Sequence, residues 1–369
     1  MKVHQIKIDF RVTEQVSRFV YVYILEADSL YLIDSGVFGC EKQIMDYLDS
    51  IGRNKDEIKG IFLTHAHPDH IGSAAWFQEH TGCRIYASEG EKSWIEDIDL
   101  QFKERPIPNF YKLAGKSSRV DVVVKDGDVI ELEDGLTVSV IRTAGHSCDE
   151  ISYLVCGNMF IGDSVPVKGD IPIFIDEREM RKTLHILKDT KGVKTYYPAW
   201  DQTYTAEMME HKLNEAGELI DLLKKAVSES DDGGELPVLV DRVCNRLKTP
   251  MLKSNPLFSR TIECLRQEGL RKMACFFIID VYIDESKGRG SYDDYIEKVK
   301  PIVEKYGGEY IARTENVTSL SPLRKPDRVI IIKFPSREKL DACFSSDEYR
   351  RIMHDRVDNV DARAVIVEE

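Results

Sequence analysis

The stretch THAHPDH, Thr64 to His70, directly follows the apolar run KGIFL and holds three of the chain's nine histidines together with one aspartate. On an extended segment alternate side chains share a face, so His65 and His67 project the same way. Two imidazoles that close together can chelate one metal ion. Asp69 and His70 come after Pro68, where the chain leaves the strand and begins a helix, so they point in other directions. One short loop of this kind can serve two adjacent metal positions.

The elements that must carry this loop can be read on either side of it. Val20–Ala27 and Leu30–Asp34 form a hairpin pair turned by Asp28-Ser29, Lys42–Ile51 has helical spacing, and Ile58–Leu63 is a buried strand. Ile71–Thr81 is helical up to Gly82, and Arg84–Ala87 is a strand. A polar stretch with Pro106 and Pro108 follows, then strands at Asp121–Val124, Leu136–Arg142, Ile151–Val155 and Met159–Ile161. Glu179–Leu187 is a helix and Thr195–Tyr197 a last strand. Strands in two sets with covering helices predict an αββα sandwich. Met208, Leu213, Ala216, Ile220, Leu223 and Val227 recur at the steps of an amphipathic helix, which ends in the polar loop SESDDGGE. Asn255-Pro256 then caps and opens a helix running to Gly269.

From Met273 the pattern becomes a strand (Ala274–Ile283), a helix (Tyr292–Tyr306), two strands (Tyr310–Arg313 and Arg328–Phe334), a mostly helical stretch (Ser336–Arg351) and a final strand (Ala362–Val367). This βαββαβ order is the ferredoxin-like arrangement. The reading is therefore of an α+β chain in three parts: residues 1–204, a helical extension over 205–272, and an α+β module over 273–369.

Composition narrows the function classes. A net charge of −13 argues against nucleic acid as partner, and neither half is basic: the residues from Met273 onward carry −3 and the rest −10. The apolar runs are strand-length, far short of a membrane span, and the N-terminus alternates like a strand and lacks a signal peptide's apolar core. None of the eight cysteines forms a C-x-x-C pair, so they read as reduced, packed residues. The expectation is a cytoplasmic protein acting on a small molecule. Cys148, two residues after His146, either packs or approaches the site.

HAHPDH stands in order with LIDSG (Leu32–Gly36) before it, TAGHS (Thr143–Ser147) after it and IGDS (Ile161–Ser164) further on. Over about residues 15 to 200 this series resembles the metallo-β-lactamase-fold hydrolase superfamily. The resemblance implies a dinuclear metal site on the edge between the sheets. It gives His65, His67 and His146 to a first metal and Asp69 and His70 to a second, with Asp163 bridging the two. It implies two divalent ions, zinc first, with iron or manganese as alternatives. Two such ions lower the pKa of a shared water into the neutral range, and Asp69 is placed to orient the resulting nucleophile. Asp34 matches a residue that supports the metal loop, or is a plain turn aspartate before Gly36. His4, His80, His185, His211 and His354 match no motif and read as surface or structural.

One departure stands out. Where the superfamily supplies a last histidine to the second metal, this chain has YYPAWD, Tyr196–Asp201, with Trp200 at the ligand position. Indole is a donor only and cannot ligate a cation. Either the second position is weaker, or Asp201 replaces the histidine with a carboxylate, or Trp200 shields a site for a single metal; the expectation is Asp201, against its alternative as a cap for the next helix. The tail from Met273 resembles a small, dimerising ferredoxin-like module of uncharacterised function, through Tyr306–Tyr310, RVIIIKFPS and Ser346–Tyr349. It implies a homo-oligomer assembled through that module. The leading reading is a hydrolase of a thioester, lactone or related acyl compound. The alternatives are an iron-dependent redox enzyme of the same fold, or a binding protein with a degraded second position.

Overall fold

The computed structural model describes residues 1–133, 135–273, 275–284, 286 and 288–368, with only the backbone path given for residues 270–273. It divides into two compact units, Met1–Leu265 and Arg266–Glu369.

The first unit contains two six-stranded sheets. In chain order the first sheet is β1 (Lys2–Arg11), β2 (Ser17–Glu26), β3 (Leu30–Ile33), β4 (Ile58–Phe62), β5 (Arg84–Ser88) and β6 (Val122–Val124), lying side by side in that sequence. The second is β7 (Val129–Glu133), β8 (Leu136–Arg142), β9 (Ile151–Val155), β10 (Asn158–Gly162), β11 (Thr195–Pro198) and β12 (Tyr204–Thr205). β3 to β6 run parallel, as do β10 and β11. Tyr23, Tyr31 and Phe62 of the first sheet and Val138, Tyr153 and Phe160 of the second form one buried cluster between the sheets. A second cluster covers the outer face of the first sheet with helices such as Glu41–Ser50 and Ala74–Thr81. A third covers the second sheet with Glu177–Asp189, Ala206–Ser228, Leu236–Leu247 and Pro256 onward. Alternation along each strand sends one set of side chains to each layer, and the expected αββα sandwich results.

Several elements differ from the sequence expectation. The polar stretch with Pro106 and Pro108 is flanked by short helices at Glu89–Glu96, Ile98–Glu104 and Phe110–Ala114. The helix expected over Ile71–Thr81 is two pieces, Pro68–Ile71 and Ala74–Thr81. The break falls at Gly72, where a Cβ would stand 2.3 Å from the Leu113 carbonyl oxygen and the Phe38 nitrogen; only glycine lets those backbones meet. Leu236–Leu247 is a further helix, and β7 and β12 are further strands.

The second unit pairs β13 (Cys275–Tyr282), β14 (Glu309–Thr314), β15 (Arg328–Phe334) and β16 (Asp361–Glu368) in the order β14-β15-β13-β16, all antiparallel. Ala274, the expected start of β13, lies outside the described residues. Helix Tyr292–Lys305 and the shorter helices from Arg337 to Ile352 supply Tyr295, Val299, Val303, Leu340 and Tyr349 to a core shared with Ile279, Ile332 and Phe334. This is the ferredoxin-like arrangement. Among the described residues no helix is long and apolar enough to cross a membrane, and all eight cysteines are free.

Candidate metal centre

The motifs meet where strands of both sheets end. Asp34 follows β3, His65 to His70 follow β4, His146 follows β8, Asp163 follows β10, and Trp200 follows β11. Strand ends suit this because pairing has fixed the backbone up to the last residue while the side chains beyond it are free to converge.

His65, His67, His146 and Asp163 each offer a ligand atom, and these atoms all lie within 4.8 Å of one another. His65 Nε2 and His146 Nε2 stand 2.8 and 2.9 Å from His67 Nδ1. An Asp163 oxygen is 3.4 Å from His146 Nε2 and 3.3 Å from His70 Nε2. Both Asp163 oxygens and His70 Nε2 are buried without a hydrogen-bond partner. Buried polar atoms left unsatisfied cost free energy, and a metal ion bound among these donors would satisfy them. The donor set, imidazoles with a carboxylate, suits zinc or iron.

Burial first, then charge repulsion from His70, His146 and Arg105, holds His65 well below the usual imidazole range. His67 is held down in the same way, with Arg105 the main charge after burial, and His146 is lowered chiefly by burial. Three neutral imidazoles are ready to coordinate. His70 is the opposite case. Burial pushes it down, but Asp163, Asp34 and Asp69 outweigh burial and hold it well above the imidazole range.

A surrounding layer holds these groups in place. Asp34, at φ 59°, accepts from His70 Nδ1 at 2.8 Å and from the Thr64 backbone N–H at 2.8 Å. That contact turns His70 Nε2 toward Asp163, which is the supporting role considered for Asp34. Glu150 Oε1 accepts from the Asp163 N–H at 2.8 Å and lies 3.5 Å from His65 Nδ1. Gly162, at φ 51°, allows this approach, since a Cβ there would stand 2.6 Å from Glu150 and 2.8 Å from Thr64. Glu91, fully buried, accepts from the Ala66 N–H at 3.0 Å and the Asp149 N–H at 3.0 Å, and also from the Ser147 hydroxyl. Neither Glu91 nor Glu150 stands out in the sequence; each is a single carboxylate whose partners come from distant segments. Cys148 is exposed rather than packed; its thiol sits 3.4 Å from Glu91 and is pushed up to about 12 by desolvation and that carboxylate, which disfavours the thiolate.

The second position is built differently. Asp69 Oδ2 lies 3.8 Å from His70 Nε2 and accepts from Trp200 Nε1 at 3.1 Å. The indole is itself held: the Arg18 guanidinium lies 4.4 Å over its ring and is paired to Asp170 by two bonds of 2.6 and 2.8 Å. Asp201 is not one of the four residues whose ligand atoms converge, although it lines a smaller pocket with His146, Asp163 and Trp200. Its Oδ1 accepts from the Gln202 N–H at 2.8 Å, and its Oδ2 accepts from the Tyr204 hydroxyl. The carboxylate thus closes the turn into β12, while Thr205 caps the helix that follows. A cavity of about 340 Å³ opens beside the centre, lined by His67, Asp69, Arg105 and Trp200 and by apolar side chains including Phe10, Ile107 and Leu257.

Residues 15–198 match the family model of the metallo-beta-lactamase superfamily, and residues 275–369 match a domain of unknown function, DUF1330. The hydroxyacylglutathione hydrolase of Thiobacillus denitrificans is 30% identical over 120 residues, which is 32% of this chain and 36% of that protein. The hydroxyacylglutathione hydrolase of Hyphomonas neptunium is 31% identical over 136 residues, 36% of this chain and 44% of that protein. The match therefore spans less than half of these relatives. Among solved structures, a metallo-beta-lactamase family protein from Thermus thermophilus superposes with a TM-score of 0.57 at 18% identity, covering 73% of this chain and 94% of that one. A beta-lactamase domain protein from Burkholderia ambifaria gives 0.55 at 14% identity, covering 72% and 87%. At these identities the likeness is one of fold.

Proposed function

Through residues 15–198 the chain belongs to the metallo-beta-lactamase superfamily, and from that premise we propose that it is a metal-dependent hydrolase of a small ester-like bond, a thioester before a lactone or other acyl compound. The observation that carries this reading is the convergence of His65, His67, His146 and an unsatisfied Asp163 at the wall of a largely apolar cavity. The names of the relatives, which describe cleavage of an acyl-glutathione compound, favour the thioester.

His65, His67, His146 and Asp163 would hold a first divalent ion, zinc before iron or manganese, and Asp69, His70 and Asp163 a second. Such ions supply Lewis acidity, polarising a carbonyl oxygen and making water a stronger acid. The chain's own residues then have separate tasks. Asp69, one oxygen of which accepts the Trp200 N–H, lines the cavity and would accept a hydrogen bond from an attacking water through the other. Asp34 keeps His70 Nε2 directed at the centre, and Glu150 fixes the backbone that presents Asp163. The apolar wall holds the acyl group and excludes bulk water.

The test is hydrolysis of thioester, lactone and ester panels by the purified protein before and after chelation. The reading predicts turnover that chelator abolishes and added zinc, iron or manganese restores. Hydrolysis that survives chelation and the His67→Ala change would overturn it. For assembly we place a second copy on the sheet of the C-terminal unit, whose face away from the helices carries Phe276, Ile278, Ile331, Val365 and Val367. An apolar face of this kind needs cover, and light scattering that returns a monomer would refute it.

A further inference from the structure

The charge of Arg105 acts on His65 and His67, but its guanidinium donors have no partner among the described residues. Arg105 ends the short helix Ile98–Glu104, its backbone N–H bonded to Gln101 O at 2.7 Å, and its side chain runs into the cavity beside His67 and Asp69. The residue is 6% exposed. Among the described residues its guanidinium has no hydrogen bond, and no carboxylate lies within the 4 Å of an ion pair. Of the acidic groups nearest in charge effect, Asp69 is bonded to Trp200, Glu91 to the Ala66 and Asp149 N–H groups and Ser147, and Asp163 stands against His70 and His146. Arg260 stands on the other side, bonded to Glu104 O at 3.1 Å, and adds like charge.

The guanidinium presents five N–H donors in a planar fork, and none of its nitrogens is a fully buried unsatisfied atom, so the fork is open to the cavity. The other cation of this cavity, Arg18, is neutralised by Asp170. Around Arg105 the wall is mostly apolar: Phe10, Val12, Ile107, Leu113, Met251 and Leu257. A pocket with an apolar wall and a single unpaired planar cation is complementary to an apolar chain ending in a planar anion. We propose that Arg105 anchors a carboxylate carried by the substrate, so that the compound cleaved is an acyl ester or thioester with a free acid group and a short apolar chain. This rests on the hydrolase reading for the bond that is cleaved, but not for the anion that is bound.

Two probes of equal chain length separate the terms: the mono-para-nitrophenyl ester of glutaric acid, and para-nitrophenyl pentanoate, which lacks the terminal carboxylate. In each, water adds to the acyl carbon, the C–O bond breaks, and nitrophenolate, a carboxylate and protons result. Metal-loaded wild type should favour the glutarate ester through KM. Arg105→Gln should lose about tenfold to 100-fold of that preference, read as the ratio of kcat/KM for the two esters so that any effect on the metal centre common to both cancels. Glutarate binding by calorimetry, which needs no turnover, should weaken by the same factor in Arg105→Gln. Arg105→Lys keeps the charge without the fork and should weaken several-fold. If neither ester is cleaved but glutarate binding still depends on Arg105, the hydrolase reading fails and the anchor stands. The proposal is overturned if Arg105→Gln keeps the preference or the affinity, or if Arg105→Lys binds glutarate like wild type.

Discussion

The two proposed halves of the metal centre would share Asp163 and each draw two residues from the loop after β4, yet they are made to different standards. The first half collects three imidazoles and a carboxylate within 4.8 Å. Its histidines are held neutral by burial and like charge, so an ion meets lone pairs with no proton to displace. The second half has Asp69 and His70, and Trp200 where a further ligand would stand. One Asp69 oxygen already accepts the indole N–H, and three carboxylates raise the His70 pKa well above the imidazole range, against burial. A donor in place of a ligand and a proton in place of a lone pair both weaken cation binding. The lesson is that a complete motif fixes where a metal can sit, while affinity is set by what surrounds each lone pair.

Each prediction bears on that contrast. His67→Ala removes one of four donors from the first position. With about 10–16 kcal/mol of binding shared among the donors of a structural zinc site, metal affinity should fall roughly 100-fold or more. Elemental analysis of dialysed protein checks this, and full retention would remove the contrast altogether. The pH dependence comes next. A group whose pKa is raised must release its proton before it ligates, so second-position affinity should rise with pH, by up to about tenfold per unit below the His70 pKa. First-position affinity should be flat near neutrality because its ligands carry no proton. Titrations with a second equivalent of metal at several pH values would show whether the two slopes differ. The smallest effect belongs to Asp201→Ala. It breaks the Tyr204 hydroxyl contact and should cost about 1 kcal/mol of stability, visible as a lower Tm, with metal content unchanged.

The legible part of the site was the part written in contiguous or motif-bound residues. His65, His67 and His70 share one loop, and His146 and Asp163 each sit in a short motif with glycine beside it. Asp34 could be placed because it precedes Gly36 in such a motif. Glu91, Glu150 and Arg105 were not legible, since each is an ordinary charged residue whose role exists only once distant segments meet. Trp200 was conspicuous by position, but its partner was not; the indole reaches across to Asp69, and the carboxylate expected to replace it serves Tyr204. Among the elements, long periodic strands and helices were readable, and β13, β15 and the helix from Ala206 fall close to their expected bounds. The short helices after β5 were hidden because five to eight residues hold too little periodicity to separate from a polar loop. The break at Gly72 depends on Leu113 and Phe38, contacts that no local pattern announces.

The most direct measurement is the metal content of wild type and Trp200→His after dialysis against buffer free of metal and chelator. Histidine at this position would exchange an N–H donor for a lone pair and release Asp69 Oδ2. The account predicts about one ion per chain in the wild type and about two in Trp200→His. Two tightly held ions in the wild type, with one of them lost in Asp201→Ala, would contradict it.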